Sequence, residues 1–94
     1  MAGAARYLAR ALAEPPPADQ WLRLAHRLGR LQAQAGSSDA ISTLERALDR
    51  ATGTERVQIA IDLATVLFAT GRFDESVRVL LDVRRAARPI GRIA

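Results

Sequence analysis

The sequence predicts an all-α protein with five helices, and three observations support this prediction. Apolar residues recur every three or four positions in five separate segments, which is the spacing of one helix face. Proline and glycine separate those segments, as they commonly separate helices. The apolar pattern also repeats with a period of about 36 residues, which indicates a helical repeat protein.

The first three predicted helices are bounded by proline, glycine and acidic residues. The first covers residues 4–14 and ends before the prolines at 15–17, because proline lacks the N–H that a helix interior needs. The second covers 18–35 and ends at Gly36, where a helix often requires a left-handed residue. The third covers 39–51 and opens with Asp39, whose charge favours a helix N-terminus.

The last two predicted helices have equally clear limits. The fourth covers 55–70, opening with Thr54 and Glu55 and ending before Gly71. The fifth covers 73–87, opening with an acidic pair and ending before Pro89. Their apolar positions at helical spacing are Ile59, Leu63 and Leu67 in the fourth helix, and Phe73, Val77, Leu80 and Leu81 in the fifth.

Odd-numbered helices share one pattern of small and large residues, and even-numbered helices share another. Ala4, Leu8, Ala11 and Leu12 recur 36 residues later as Ala40, Leu44, Ala47 and Leu48, and 36 later again as Ser76, Leu80, Val83 and Arg84. Leu28, Gly29, Leu31 and Gly36 recur 35 residues later as Leu63, Ala64, Val66 and Gly71. Small residues at such positions let two helix backbones approach, while the leucines fill the space between them.

These units resemble the tetratricopeptide repeat, a pair of antiparallel helices with small and large residues at fixed positions. The last unit matches at Leu63, Ala64, Leu67, Gly71, Phe73, Ser76, Leu80 and Val83. The middle unit departs from the pattern at Gln32, where a large apolar residue is usual, and its turn lacks an aromatic residue. The resemblance implies a right-handed α-solenoid of antiparallel helix pairs, with a half repeat at 1–16, repeats at 17–52 and 53–89, and a tail at 90–94.

Residues 7–80, which are rich in arginine and alanine, also resemble the helical repeat region of actinobacterial large ATP-binding regulators of the LuxR family. In those regulators the repeats lie between a nucleotide-binding ATPase domain and a C-terminal helix-turn-helix domain. The resemblance implies a cytoplasmic bacterial protein, in which the repeats act as a regulatory scaffold that contacts a protein, a peptide or sister domains. Neither the phosphate-binding loop nor the DNA-reading helix of that family is present in this sequence.

Residue types that most catalytic and metal sites need are scarce. The sequence has no cysteine, which excludes disulfides and thiolate metal sites. His26 is the only histidine, and a lone helical histidine is more often a surface residue than a ligand or a catalyst. No glycine-rich phosphate-binding motif occurs. The sequence identifies no residue that would act as a general base for the serines. We therefore expect no enzyme activity, no cofactor and no metal ion.

The distribution of charge bears on the alternative function of nucleic-acid binding. The net charge is +4, but residues 1–82 hold ten arginines and ten acidic residues. The excess is carried by the last arginines, Arg84, Arg85, Arg88 and Arg92. An arginine-rich surface and C-terminal tail would bind phosphates with a strong dependence on salt, whereas the neutral remainder disfavours this alternative.

Two cellular destinations other than the cytoplasm are disfavoured. The sequence has no apolar run of the roughly 20 residues that span a bilayer. The first 13 residues contain arginine and no acidic residue, as organellar presequences do. Their match to the third and fifth helices explains the same residues better.

The repeat register of the resemblance implies which residues line a concave groove. These are Arg23, His26, Arg27, Arg30, Ala33 and Gln34 on the second helix, and Gln58, Ile61, Asp62, Thr65, Phe68 and Ala69 on the fourth. One hypothesis is that the arginines bind carboxylates or phosphates of a partner, beside an apolar floor formed by Ile61 and Phe68. The alternative is that the arginines form a solvated helix face and the apolar pair packs against a neighbouring unit.

The repeat pattern also predicts that apolar side chains at both ends of the sequence lack a neighbouring helix that would bury them. The sequence opens on the second helix of a pair and closes on another such helix. Because solenoid units bury their faces only against neighbours, apolar residues at the two ends would lack cover. They are Tyr7, Leu8 and Leu12 at one end, and Leu80 and Leu81 at the other. We therefore expect either a fragment of a longer protein or self-association.

Overall fold

A computed structural model of the chain describes the backbone of residues 2–13 and 17–91, and the side chains of residues 3–6, 8–10 and 17–86. Five α-helices and no strands occur in this part of the chain. They are α1 (Ala2–Ala13), α2 (Ala18–Gln34), α3 (Asp39–Arg50), α4 (Gly53–Ala69) and α5 (Phe73–Gly91). The prediction of an all-α protein with five helices is confirmed. None of the described helices is long and apolar enough to cross a membrane.

Three helix limits differ from those predicted by two residues or more, and the first is that α1 begins at Ala2 rather than at residue 4. α4 begins at Gly53 rather than at residue 55, and Thr52 in an extended conformation precedes it. α5 does not end before Pro89 but continues to Gly91, beyond residue 90 where the predicted tail begins. Proline adopts helical φ, so a proline close to the C-terminus removes one hydrogen bond from the last turn without ending the helix.

The ends of α2 and α4 have the same backbone geometry. Gly36 and Gly71 adopt φ of 73° and 84°. After α2, the N–H of Ser37 donates to the carbonyl of Gln32 at 2.9 Å. After α4, the N–H of Arg72 donates to the carbonyl of Leu67 at 2.8 Å. α2 and α4 therefore both end in the Schellman motif, which confirms the left-handed positions predicted for the two glycines.

Replacing Gly71 by alanine tests the requirement for positive φ. A Cβ at this position would meet no heavy atom within 4 Å, so the substitution affects backbone conformation alone. We expect Gly71→Ala to lower the free energy of unfolding by about 1–2 kcal/mol, and Gly71→Asn to lower it less, because asparagine tolerates this conformation. Urea denaturation followed by circular dichroism measures both, and equal stability of the alanine variant and the wild type would contradict the prediction.

Each helix packs against the next one along the chain, and α2 also contacts α4. The largest fully buried side chains are Leu44, Ile59, Leu63 and Leu67. Trp21, Ala25, Ala47 and Ala51 complete the same apolar cluster. The core thus lies between α2, α3 and α4, and it consists mainly of aliphatic residues.

Two close approaches between helices depend on small residues, as the repeat pattern predicts. A Cβ on Gly29 of α2 would lie 2.5 Å from Cδ2 of Leu44 in α3, so only glycine fits there without rearrangement. In the next unit, Oγ of the buried Ser76 in α5 donates to the carbonyl of Ala64 in α4 at 2.9 Å. These contacts place α2 against α3 and α4 against α5.

Trp21 anchors the beginning of α2 against the end of α3. Its indole is 5% exposed, and the guanidinium carbon of Arg50 lies 4.2 Å from the ring centroid. Arg46 lies above the same ring at 5.6 Å. Because cations over an indole face are attracted to it, these two arginines help to cover the core.

Of the apolar side chains that were predicted to lack a covering helix, those at one end of the described chain are exposed. Leu80 and Leu81 on α5 are 43% and 45% exposed. Leu8 on α1 is only 5% exposed, so the expectation for this residue is wrong, because α1 packs against α2. The side chains of Tyr7 and Leu12 lie outside the described residues.

Candidate functional site

A polar contact joins α2 and α4 at the centre of the predicted groove. Nε2 of His26 donates to Oδ2 of Asp62 at 2.5 Å, and Nε of Arg30 lies 3.9 Å from the same oxygen. The side chains of His26 and Asp62 are 16% and 32% exposed. His26 is therefore half-buried in an interhelical contact rather than the ordinary surface residue that we expected.

Three arginines form an exposed row beside this contact. Arg23, Arg27 and Arg30 occupy positions i, i+4 and i+7 of α2, and all three are exposed, so their guanidinium groups share one helix face. Nη2 of Arg23 lies 3.8 Å from Asp19, an exposed pair that contributes little to stability. A shallow depression of about 390 Å³ is lined by Arg23, His26, Arg27, Arg30, Leu31, Gln34 and Glu55. All the residues predicted for the groove on α2 therefore share this surface, with the exception of Ala33. We call Arg23, Arg27 and Arg30 the arginine face.

The predicted α4 residues lie on more than one surface instead of forming one floor. Asp62 and Thr65 face α2 and line a depression with Arg30 and Gln34. Ile61 and Phe68 border α5, where they line a depression of about 270 Å³ with Ala64, Thr65, Ser76 and Leu80. Gln58 is exposed and lines neither of these two depressions. Thr65 is the predicted residue that borders both.

The apolar surface extends onto α5, which the groove prediction did not include. The Phe68 and Phe73 rings pack edge to face with their centroids 4.9 Å apart, a favourable aromatic geometry. Val77, Leu80 and Leu81 continue the exposed apolar surface along α5. We call the set formed by Ile61, Phe68, Phe73, Val77, Leu80 and Leu81 the apolar face. Comparison of the repeats indicates this apolar surface, because the position of the exposed Glu45 is occupied by Leu81 in the next repeat.

A further depression is lined in part by residues that the sequence predicts for the groove, namely Ala33, Gln34, Thr65 and Ala69. It has a volume of about 860 Å³ and lies between the end of α2, the α2–α3 turn, α3 and the end of α4. Glu45 and Arg72 lie at its edge. Arg72 donates two hydrogen bonds to Glu75 at 2.7 and 2.6 Å, and these bonds hold the pKa of the Glu75 carboxyl below its usual value. The residues that α3 contributes, among them Ile41 and Glu45, were missed because the repeat register assigns only α2 and α4 to the groove.

Two hydroxyl groups among the described residues bond to carbonyls of their own helices. Oγ1 of Thr65, one helical turn from Asp62, donates to the carbonyl of Ile61 at 2.8 Å. Oγ of Ser42 likewise donates to the carbonyl of Asp39. Among the described residues, no group of three or more histidine, aspartate or glutamate side chains is placed to hold a metal ion.

The chain gives no significant match to a protein-family model, to a curated protein or to a solved structure.

Proposed function

We propose that the chain is a protein-interaction module of the tetratricopeptide type, which binds an acidic segment of a partner protein on its arginine face. The helices would form a right-handed solenoid of antiparallel pairs. The module would act as a scaffold in a cytoplasmic bacterial regulatory protein and would carry out no reaction. The regulatory part of the proposal is based on the resemblance of residues 7–80 to the LuxR-type regulators.

The direction of the helix contacts supports the solenoid. Trp21 near the start of α2 lies under Arg50 at the end of α3, whereas Gly29, further along α2, meets Leu44, earlier in α3. Opposite progression along two packed helices is the signature of an antiparallel pair. Contact between α2 and α4, the first helices of successive pairs, is expected when helix pairs stack into a superhelix.

The exposed arginine row is the observation that carries the binding proposal. Arginine presents a planar fork that matches a carboxylate through two parallel hydrogen bonds. Asp62 lies 3.9 Å from Nε of Arg30 and Asp19 lies 3.8 Å from Nη2 of Arg23, so nearby carboxylates neutralise the row only in part. Arg23 and Arg27 project from an exposed helix face, where two carboxylates spaced one helical turn apart would fit both groups.

Selection of peptides on the wild-type protein tests this proposal. We expect the selected peptides to be rich in aspartate and glutamate, and the triple variant Arg23→Ala, Arg27→Ala, Arg30→Ala to bind them at least tenfold more weakly. Loss of charge-assisted hydrogen bonds, each worth about 1.5–3 kcal/mol, accounts for an effect of this size. Fluorescence anisotropy with labelled peptides gives the dissociation constants.

A matched control separates the arginine face from general charge. The variant Arg78→Ala, Arg84→Ala, Arg85→Ala also loses three positive charges, but from exposed positions on α5. It should bind the selected peptides within about twofold of the wild type. Equal weakening in both triple variants, or no weakening in the α2 variant, would contradict the proposed site.

Nucleic-acid binding is the second candidate, and one observation favours it. Arg84 and Arg85 are exposed near the C-terminal end of α5, and Arg88 and Arg92 follow them in the sequence. This candidate predicts binding of a single-stranded or duplex oligonucleotide that falls steeply with salt. The binding would be lost in the α5 triple variant and kept in the α2 variant, which is the reverse of the pattern expected for acidic peptides.

A further inference from the structure

All seven large apolar side chains that are exposed in the described part of the chain lie on α4 and α5. They are Val57 and the six residues of the apolar face. Phe68 is the most exposed of them, at 63%. Together these side chains present on the order of 600 Å² of apolar surface, which is the upper end of the range for the largest patch on a monomer.

Comparison of the two repeats shows that this face is more apolar than its counterpart on α2 and α3. The register of the repeats relates His26 to Ile61, Ala33 to Phe68, and Glu45 to Leu81. At each position a polar or small residue is replaced by a large apolar one. The register also relates Leu44, which is fully buried, to Leu80, which is not. The face therefore has the composition of an interface core rather than that of a solvated repeat surface.

We propose that the apolar face is the interface of a homodimer, in which a second copy of this chain packs its own α4 and α5 against it. A twofold axis brings the same patch of both copies together, so one dimer covers the apolar face of each copy together with Val57, which lies one helical turn before Ile61 on α4. Contact between the two patches buries roughly 1,200 Å² in total, the lower limit for a specific interface. Such an area corresponds to a reversible dimer.

The distribution of charge along α5 favours this partner. The helix carries the exposed Asp74 in its first turn and the exposed Arg84 near its other end. The neighbouring Glu75 is already bonded to Arg72, and Arg85 lies 4.0 Å from Asp82. A twofold axis near Leu80 makes the two α5 helices antiparallel, so the acidic end of each copy lies beside the basic end of the other. Opposite charges at the rim of an apolar patch fix its register and oppose wrong pairings.

This inference extends the proposed function and does not depend on it. The arginine face lies on α2, outside the apolar face. A dimer that does not bind acidic peptides would refute the proposed function alone, and a monomer that binds them would refute the dimer alone.

Sedimentation equilibrium of the full chain between about 1 and 300 µM, in buffer of 0.15 M salt, tests the dimer. We expect a reversible monomer–dimer equilibrium for the wild type and at least a tenfold higher dissociation constant for Leu81→Glu. The substitution places at residue 81 the side chain found at Glu45, so it is compatible with a folded helix, which circular dichroism verifies. Ser42→Glu adds the same charge at an exposed site on α3 and should dimerise like the wild type. A wild type that stays monomeric throughout, or equal dimerisation of both variants, would overturn the proposal.

Cross-linking tests the position of the twofold axis. The chain contains no cysteine, so a single introduced thiol reports on one site. Leu80→Cys, beside the proposed axis, should form a covalent dimer with a short thiol-specific cross-linker. Glu45→Cys on α3 should remain monomeric under the same conditions. Equal cross-linking of the two variants would rule out the α4–α5 interface.

Discussion

Leu44→Ala is expected to lower the free energy of unfolding by about 2–5 kcal/mol. Leu44 is fully buried and belongs to the cluster that joins α2, α3 and α4. Removal of its side chain loses the transfer free energy of the buried groups and leaves a cavity that the surrounding helices fill only in part. Because small domains have total stabilities of about 5–15 kcal/mol, this single change removes a large share. Urea denaturation at low protein concentration measures the loss.

The repeat provides a control with the same chemistry. Leu80 occupies the position of Leu44 in the next unit, but it is 43% exposed. Leu80→Ala should therefore lower the free energy of unfolding by about 1 kcal/mol or less when the protein is monomeric. Losses of equal size in the two variants would show that burial does not distinguish these positions and would contradict the packing described for α3.

Gly29→Ala is expected to destabilise the protein by about 1–3 kcal/mol, although alanine is the better helix former. In an exposed helix the exchange of glycine for alanine stabilises by about 1 kcal/mol. At Gly29 the new Cβ would lie 2.5 Å from Cδ2 and 2.7 Å from Cγ of Leu44, well inside a normal carbon–carbon contact of about 3.5–4.0 Å. Because Leu44 is fully buried, relief of this overlap requires its side chain to displace neighbours or α2 to move away from α3. The loss of stability from this overlap is larger than the gain from the better helix propensity of alanine.

Two further variants isolate that steric effect. A Cβ on Gly3 of α1 would meet nothing within 4 Å, so Gly3→Ala should be neutral or stabilising. In the Leu44→Ala background, Gly29→Ala should no longer destabilise, because the atoms that it would overlap are gone. A double-mutant cycle of thermal or urea denaturation gives the coupling energy. A coupling near zero would mean that the two side chains do not compete for the same space.

The helices could be predicted from the sequence because their signals are local. Gly36 and Gly71 mark the ends of α2 and α4 through a backbone conformation that only a few residue types adopt. The burial of Ile59, Leu63 and Leu67 follows from their spacing along one helix. The end of α5 was missed, since the sequence rule for proline does not distinguish the interior of a helix from its last turn.

The candidate site was predicted only in part, because its surfaces depend on how helices rotate against one another. The register placed His26 and Asp62 in one groove, and the structure brings them into contact. It also placed Ile61 and Phe68 in that groove, whereas they lie toward α5. A rotation of α4 by a fraction of a turn decides between these arrangements, and the spacing of residues along a single helix contains no information about that rotation.

The two Schellman turns give the protein a pair of matched internal reporters. The amide of Ser37 and the amide of Arg72 donate equivalent hydrogen bonds in equivalent turns, at 2.9 and 2.8 Å. In native-state hydrogen exchange, the difference in protection between these two amides therefore measures the difference in local opening free energy between the two turns. Unfolding that begins at one end of the chain and unfolding that begins in the middle would therefore change the protection of these two amides differently.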